Sequence, residues 1–496
     1  MLLPLLAVLT MMHYEGDVAA AGGDYVDVAF VVPPGTVEIQ IVHTDGSASD
    51  ILDWGVWSPE GFRGWGGGNT EDAIIGVAQS SRSYLPGAIT PGTWTVSIGK
   101  AQLDADGGRY SIDVICRDNA TLAVRPKATP APVVLATGRR WYKGDFHVHS
   151  SESGDANASF DQISALARQR GLDFVNLSDH NTSSHLALAA EAQKALTDVL
   201  LLRGAEITTY AGHGNAVGLG TYVDHRIGHM GRTIAGVLTD VEAAGAIFIV
   251  NHPTLDLGEN CIGCPWGHDA TTPWDKVAGM EIITGKWDIV ERLFVPSAIA
   301  KWDGLLDEGH RIAAIGGSDD HRAGTGTGIT DTPLGSPTTL VLADELSEAA
   351  IMKGIREGRT IVQMKGPDDP FVEIKIGTAE IGDSTMAGTA NVAAHVTGGT
   401  GHFLQLWRDG EKLDQVEVTS DDFRHTFDDD PGKGTERRYR VELINDANNR
   451  VVVTSHIYVT GTGAGGGGCC QGGGAAGALA ALPVLALLLR RRRRLQ

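Results

Sequence analysis

Between Asp145 and His321 the chain repeats one pattern: a short apolar run that ends in a histidine or a carboxylate. In Asp145-Phe146-His147-Val148-His149-Ser150, period-two alternation points His147 and His149 to one side of a strand and Phe146 and Val148 to the other. Phe174 to Ser178 leads into Asp179-His180, and Leu200 to Arg203 leads to Glu206 and then His213. Ala246 to Val250 leads into Asn251-His252, and Ile312 to Gly316 into Ser318-Asp319-Asp320-His321. Any one of these has a plain structural explanation, a helix cap or a solvated turn. Their succession constrains the fold, because a parallel sheet of βα units, open or closed into a barrel, collects the C-terminal ends of its strands at one edge. Helical stretches between the runs fit this, as in 160–170, where Ile163, Leu166 and Ala167 share a face.

Imidazoles mixed with carboxylates suit Zn²⁺, Mn²⁺ or Fe. With Asp155 in the Ser- and Gly-rich loop after His149, the candidate ligands exceed what one ion needs, so two or three divalent ions are expected, with Glu206 as the natural bridge. Neighbouring ions lower the pKa of a bridging water and polarise a substrate oxygen, which is hydrolytic chemistry. A formal charge of −21 argues against nucleic acid as a partner.

The flanks read differently. Over 22–127 short alternating strands separated by Pro33-Pro34-Gly35, Gly66-Gly67-Gly68 and Pro91-Gly92 predict a β-sandwich. Residues 128–140 read as a Pro-containing linker, 141–366 as the catalytic unit and 367–460 as a second β-sandwich. The apolar run in 1–21, closed by Ala19-Ala20-Ala21, suggests a signal peptide, with a first strand as the alternative. Cys261 and Cys264 read as a loop disulfide, with a metal site beside His268 as the other option. In 461–496 a Gly-rich linker holding Cys469-Cys470 precedes an apolar segment and the run Arg490 to Arg494. About fifteen apolar residues make roughly 22 Å of helix, short of the ~30 Å hydrocarbon core unless the flanks extend it.

That tail resembles the MYXO-CTERM type of sorting tag, which implies export and a place in the cell envelope or on the outer surface. The chain would be held there by the short transmembrane helix or by lipid on a cysteine, or released after processing by a sorting protease.

The stretch 141–366 resembles a PHP-domain metallohydrolase through the motifs DFHVHS, GLDFVNLSDHNT, GAEITTYAGHGN, IVNHP and GGSDDH, in that order. The resemblance implies an α/β fold, a distorted (β/α)7 barrel here flanked by N- and C-terminal β-sandwich domains. It also implies nine metal ligands: His147, His149, Asp155, His180, Glu206, His213, His252, Asp319 and His321. Aspartate at 155 resembles the two-metal members, so two ions are expected, with three as the alternative. Glu206, His252 and Asp319 are the residues on which catalysis should depend. The sandwiches, Tyr84-Leu85-Pro86-Gly87 and the Cys261 to Trp266 loop look most like the carbaryl-hydrolase branch, whose members cleave carbamates or esters, whereas other PHP proteins are phosphoesterases.

The expected protein is therefore an exported hydrolase of a small-molecule substrate, using a metal-bridging hydroxide on an ester, carbamate or phosphoester. A phosphoesterase of nucleotides or sugar phosphates and a non-catalytic surface binding protein are the alternatives. Arg322 and Lys286 are candidates to hold a phosphate or polarise a carbonyl, and Trp266 and Trp287 to wall a pocket, with surface cation and ordinary packing as the other readings. Asp179 is a candidate to orient a ligand histidine or bound water. His185, His225, His229 and His268 lack the strand-end placement and read as structural.

Overall fold

The computed structural model describes residues 8–47, 49–328 and 331–463. The Gly-rich stretch from residue 464, the apolar segment and the arginine run of the expected sorting tail lie outside the described residues, as do residues 1–7. Among the described residues no helix is long and apolar enough to cross a membrane.

The first unit is a β-sandwich of β1 (Val8–Val18), β2 (Tyr25–Val32), β3 (Glu38–Asp45), β4 (Ile51–Ser58), β5 (Gly61–Gly67), β6 (Ala73–Gly76), β7 (Gly92–Gln102) and β8 (Gly108–Arg117). One sheet runs β1-β8-β3-β6 and the other β2-β7-β4-β5. Alternation puts Ile39, Ile41, Ile112 and Val114 of one sheet against Trp54, Trp94, Val96 and Ile98 of the other. From Val8 onward the run that suggests a signal peptide is an edge strand, antiparallel to β8 from Val8↔Arg117 to Val18↔Gly108. Met12 and Tyr14 pack inward while Met11 is exposed, the period-two signature of a strand.

The central unit holds β9 (Val134–Val148), α1 (Phe160–Gln169), β10 (Phe174–Leu177), α2 (Leu186–Gln193), β11 (Leu200–Leu202), β12 (Gly204–Thr209), β13 (Gly212–Val217) and α3 (Ile234–Ala243). It continues through β14 (Ile247–Val250), β15 (Val277–Thr284), α4 (Trp287–Leu293), α5 (Val295–Asp307), β16 (Ala313–Gly317), β17 (Thr338–Ser347), α6 (Glu348–Arg356) and β18 (Thr360–Gln363). β9 begins inside the stretch expected to be linker; only its Pro130 and Pro132 portion lacks regular structure. Local chemistry starts the helices: Ser159 and Gln162 form a capping box on α1, and Thr233 and Ser347 cap α3 and α6.

The structure departs from a parallel (β/α)7 barrel. β11, β10 and β9 are parallel neighbours, as are β14, β15 and β16, but β12, β13 and β14 are successively antiparallel. β12-β13-β14-β15-β16 form one sheet, and among the described residues its backbone pairing with the β9 and β10 side consists of the isolated bridges Val148↔Asp320 and His180↔Glu206. The result is a ring of two sheets. A short connection explains the first antiparallel pair: the two residues Tyr210 and Ala211 join β12 to β13, which permits a hairpin but no helical crossover, whereas β13 and β14 pair antiparallel across the longer connection that contains α3.

The last unit comprises β19 (Phe371–Ile376), β20 (Ala379–Glu380), β21 (Ser384–Ala387), β22 (Ala390–Thr397), β23 (Phe403–Arg408), β24 (Glu411–Glu417), β25 (Asp422–Asp429), β26 (Glu436–Ile444), β27 (Arg450–Thr454) and β28 (Ile457–Gly461). One sheet runs β20-β19-β22-β25. The other is continuous with the central unit, because β18 pairs β27 while β17 pairs both β9 and β18. Arg440, fully buried on β26, locks the two units by donating to both carboxylate oxygens of Asp303 on α5, at 2.6 and 3.0 Å.

Candidate metal centre

The ring brings the strand ends together. His147 is the penultimate residue of β9 and His149 follows it, while Phe146 on the opposite side of the strand packs on Phe174 at 5.1 Å between ring centres. His180 follows β10, His252 follows β14, and Asp319 and His321 follow β16. Glu206, read in the sequence as the end of the strand that begins at Leu200, and His213 after it lie instead within β12 and β13, on facing strands of a hairpin. Asp155 sits in the irregular loop after His149. His252 and Asp319 adopt left-handed backbone, with φ of 27° and 59°. Non-glycine residues pay for that conformation in strain, which functional sites commonly hold.

All nine candidates converge. Glu206 is central: its Oε1 lies 3.3 Å from His147 Nε2 and 3.5 Å from both His213 Nδ1 and His252 Nε2. Its Oε2 lies 2.8 Å from His180 Nδ1 and 3.7 Å from His149 Nε2. Asp319 Oδ1 is 3.2 Å from His147 Nε2 and 3.1 Å from His149 Nε2. Asp155 Oδ2 reaches His180 Nε2 at 3.3 Å and His321 Nε2 at 3.2 Å. Three ligand sets have their donor atoms within 4.8 Å of one another: His147, Glu206 and His252; His147, His149 and Asp319; and His149, His180 and His321. A fourth, His213, His252 and Cys264, offers no thiolate, because Cys264 is disulfide-bonded to Cys261.

The hydrogen-bond partners behind the histidines test whether these residues suit a cation. His213 Nε2 donates to the Ile262 carbonyl at 3.0 Å, and His252 Nδ1 to the Cys264 carbonyl at 3.2 Å. A carbonyl only accepts, so each outer nitrogen carries the proton. The inner nitrogen of each ring therefore faces the Glu206 carboxylate, and in a neutral ring its lone pair opposes that charge, an arrangement that a proton or a metal cation between them relieves. His149 Nδ1 is buried without a partner. The donor set fits divalent metal ions.

Electrostatics agree. Burial pushes His147 and His180 down, but Asp319 and Glu206 beside the first and Asp155 and Glu206 beside the second outweigh it and raise both well above the usual histidine range. Burial likewise opposes His321, yet Asp155 and Asp319 hold it at about 9. His149, buried and facing His321 and His180, is lowered to about 3. Burial raises Asp155, Glu206 and Asp319, and the adjacent imidazoles overcome it to hold all three well below the ordinary carboxylate range. Without a metal, protons on the histidines balance this concentrated negative charge.

Several supporting residues escape the strand-end pattern. Glu281, fully buried on β15, places Oε1 3.0 Å from His147 Nδ1 and accepts from the His252 amide and the Thr284 hydroxyl through Oε2. It is the one charged residue in Val277–Thr284, a signal that an otherwise uncharged buried strand carries a functional carboxylate. Asn251 Nδ2 donates to Glu206 Oε1 at 2.8 Å. Asp179 accepts from the Ser150 amide and hydroxyl, both at 2.6 Å, and so braces the residue after His149 rather than a ligand ring.

The centre opens into a cleft of about 800 Å³ whose far wall belongs to the N-terminal sandwich, including Asp53, Trp65 and Arg82. Asp53 Oδ2 accepts from Tyr210 at 2.7 Å across the boundary. Arg322 lines the cleft, 3.5 Å from Asp331. Lys286 is absent from the described lining and donates to the Gly328 carbonyl at 2.7 Å. Trp287 donates to the Arg450 carbonyl against the C-terminal unit, and Trp266 packs in the core against Phe248 and Trp274. Neither tryptophan walls the cleft.

No family model and no curated protein matches the chain. Among solved structures it is similar to a two-domain protein from Bacteroides vulgatus containing a predicted PHP-like metal-dependent phosphoesterase, at 21% identity over 67% of this chain and 99% of that one, with a TM-score of 0.37. A candidate metal-dependent phosphoesterase from Bifidobacterium adolescentis matches at 18% identity over 38% of this chain and 91% of that one, with a TM-score of 0.29. A CARDB domain from Pyrococcus furiosus matches 18% of this chain and 94% of that one, at 21% identity and a TM-score of 0.15.

Proposed function

We propose that this chain is a metal-dependent hydrolase of the PHP type that cleaves an ester, carbamate or phosphoester bond in a small-molecule substrate. The observation that carries the reading is the orientation of His213 and His252, whose outer nitrogens are spent on carbonyls and whose inner nitrogens both face Glu206. The nine converging residues would hold two divalent ions, which when bound would supply Lewis-acid polarisation of the scissile group and activation of water.

The chain's own groups then have distinct tasks. Glu206 spans the site, one oxygen towards His147, His213 and His252 and the other towards His180 and His149, and Asn251 fixes its rotamer. Glu281 fixes the ring of His147. Asp319 joins His147 to His149. Arg322 places a cation at the cleft, where negative charge develops on the substrate during hydrolysis. A purely adhesive role would need neither this centre nor the strained backbone at His252 and Asp319.

The test is metal analysis of purified protein, followed by assays of metal-stripped protein refilled with Mn²⁺ or Zn²⁺. Aryl carbamates, carboxylic esters, phosphomonoesters and phosphodiesters form the substrate panel. Metal-dependent hydrolysis of one class is expected, and its identity selects among the three bonds. Protein holding less than one ion per chain, or no hydrolysis of any class after refilling, overturns the proposal.

A further inference from the structure

We infer that the N-terminal sandwich completes the metal centre: Arg82 and Ser83 are positioning residues that hold the 150–156 loop so that Asp155 meets His180 and His321. The inference rests on the metal reading above and concerns one end of that site.

The loop has no helix or strand of its own, so outside partners decide its course. Arg82 is oriented by Glu71, to which Nε and Nη2 donate at 2.9 and 3.0 Å. Its Nη1 donates to the carbonyls of Ala156 at 2.9 Å and Ser153 at 3.4 Å, which bracket Asp155. Ser83, fully buried and in left-handed backbone with φ of 68°, donates its hydroxyl to the Glu152 carbonyl at 2.8 Å. Its own carbonyl accepts from the Thr182 hydroxyl at 2.9 Å, two residues beyond His180. One strained turn of the sandwich thus grips both chain segments that carry this end of the centre.

Backbone packing agrees. A Cβ at Gly154 would lie 2.3 Å from the Gly66 carbonyl oxygen, so the loop is pressed against the sandwich immediately before Asp155. Ser153 then donates its hydroxyl to Asp155 Oδ1 at 2.9 Å. The other end of the centre, His147, Glu206, His213 and His252, is held from β9, β12, β13 and the second residue after β14, with Glu281 and Asn251 behind it. Loosening the clamp should therefore weaken one ion and spare the other.

The experiment titrates full-length, metal-stripped protein with Mn²⁺, reading stoichiometry by calorimetry and ion-ion coupling by electron paramagnetic resonance. Wild type, Arg82→Ala, Ser83→Ala and Arg82→Lys are compared, with Ser83→Ala as the gentler variant should Arg82→Ala fail to fold. The expected result is two ions in wild type, and in both alanine variants a second ion bound at least tenfold more weakly, with the first unchanged and the coupled signal lost. Arg82→Lys, which keeps a donor for the Ala156 carbonyl, should restore the second ion. Alanine variants that bind both ions as wild type does, or lose both equally, overturn the inference while leaving the proposed function standing. Wild type that binds no ion overturns both.

Discussion

Glu281 Oε1 lies 3.0 Å from His147 Nδ1, two fully buried groups 134 positions apart in the chain. The carboxylate fixes the imidazole so that Nε2 faces Glu206 and Asp319, and raises its basicity as a ligand. Replacing Glu281 by Gln keeps the volume and removes the charge. Metal affinity should fall about 10–100-fold, as measured by competition with a chromogenic chelator.

Glu206→Ala and His252→Ala each remove a group at the middle of the site. Turnover should fall at least about a thousandfold, since metal polarisation supplies several kcal/mol of transition-state stabilisation and each 1.36 kcal/mol is a factor of ten. The sandwiches should remain folded, read as an unchanged near-ultraviolet dichroism signal from the buried Trp54 and Trp94.

Protons and metal compete for the same nitrogens. His147 and His180 are raised and His321 stands at about 9, so all three are protonated at neutral pH in metal-free protein. Apparent metal affinity should rise with pH up to about 9. The stability of metal-free protein should show the opposite trend. A raised His321 contributes stability fully present below its unfolded value of about 6.5 and lost as pH rises through about 9. Melting curves in chelator should therefore fall between pH 6.5 and 9, and added Mn²⁺ should flatten that dependence; a metal-free melting temperature that climbs over this interval contradicts the assignment.

Arg440 is buried between Asp303 on α5 and Glu442 on its own strand. Arg440→Ala leaves the mostly buried Asp303 without this partner and the fully buried Glu442 with Arg450 alone. The cost should be about 3–5 kcal/mol of unfolding free energy, measured by denaturant titration, with the central and C-terminal units losing cooperativity together.

Lys286 points to Gly328 rather than into the described cleft lining. Lys286→Ala should change kcat/KM by less than about threefold, a barrier change of about 0.65 kcal/mol. Arg322→Ala should lower it further than that, because Arg322 lines the cleft.

The nine candidate ligands were legible as candidates, from the strand ends and from the resemblance their motifs carry. A buried strand that ends in a histidine or carboxylate is a local pattern, and the recurrence of that pattern announced a common edge. Alternating strands and turn clusters likewise marked both sandwiches, and two cysteines three residues apart marked a loop disulfide. The order and closure of the strands were not legible. Glu206 looks like the end of one strand, with His213 beyond it, until β12 and β13 pair as a hairpin, and the β18 to β27 pairing that merges the central sheet with the C-terminal sandwich has no local signal.

Sequence by itself determined which side chains could bind a metal, because residue type and period-two alternation are properties of a few consecutive positions. Tertiary structure alone decided what stands behind them: Glu281 against His147, carbonyls against His213 and His252, and Arg82 and Ser83 against the loop of Asp155. Those contacts depend on the register between strands and on the docking of one unit against another, which distant segments settle jointly.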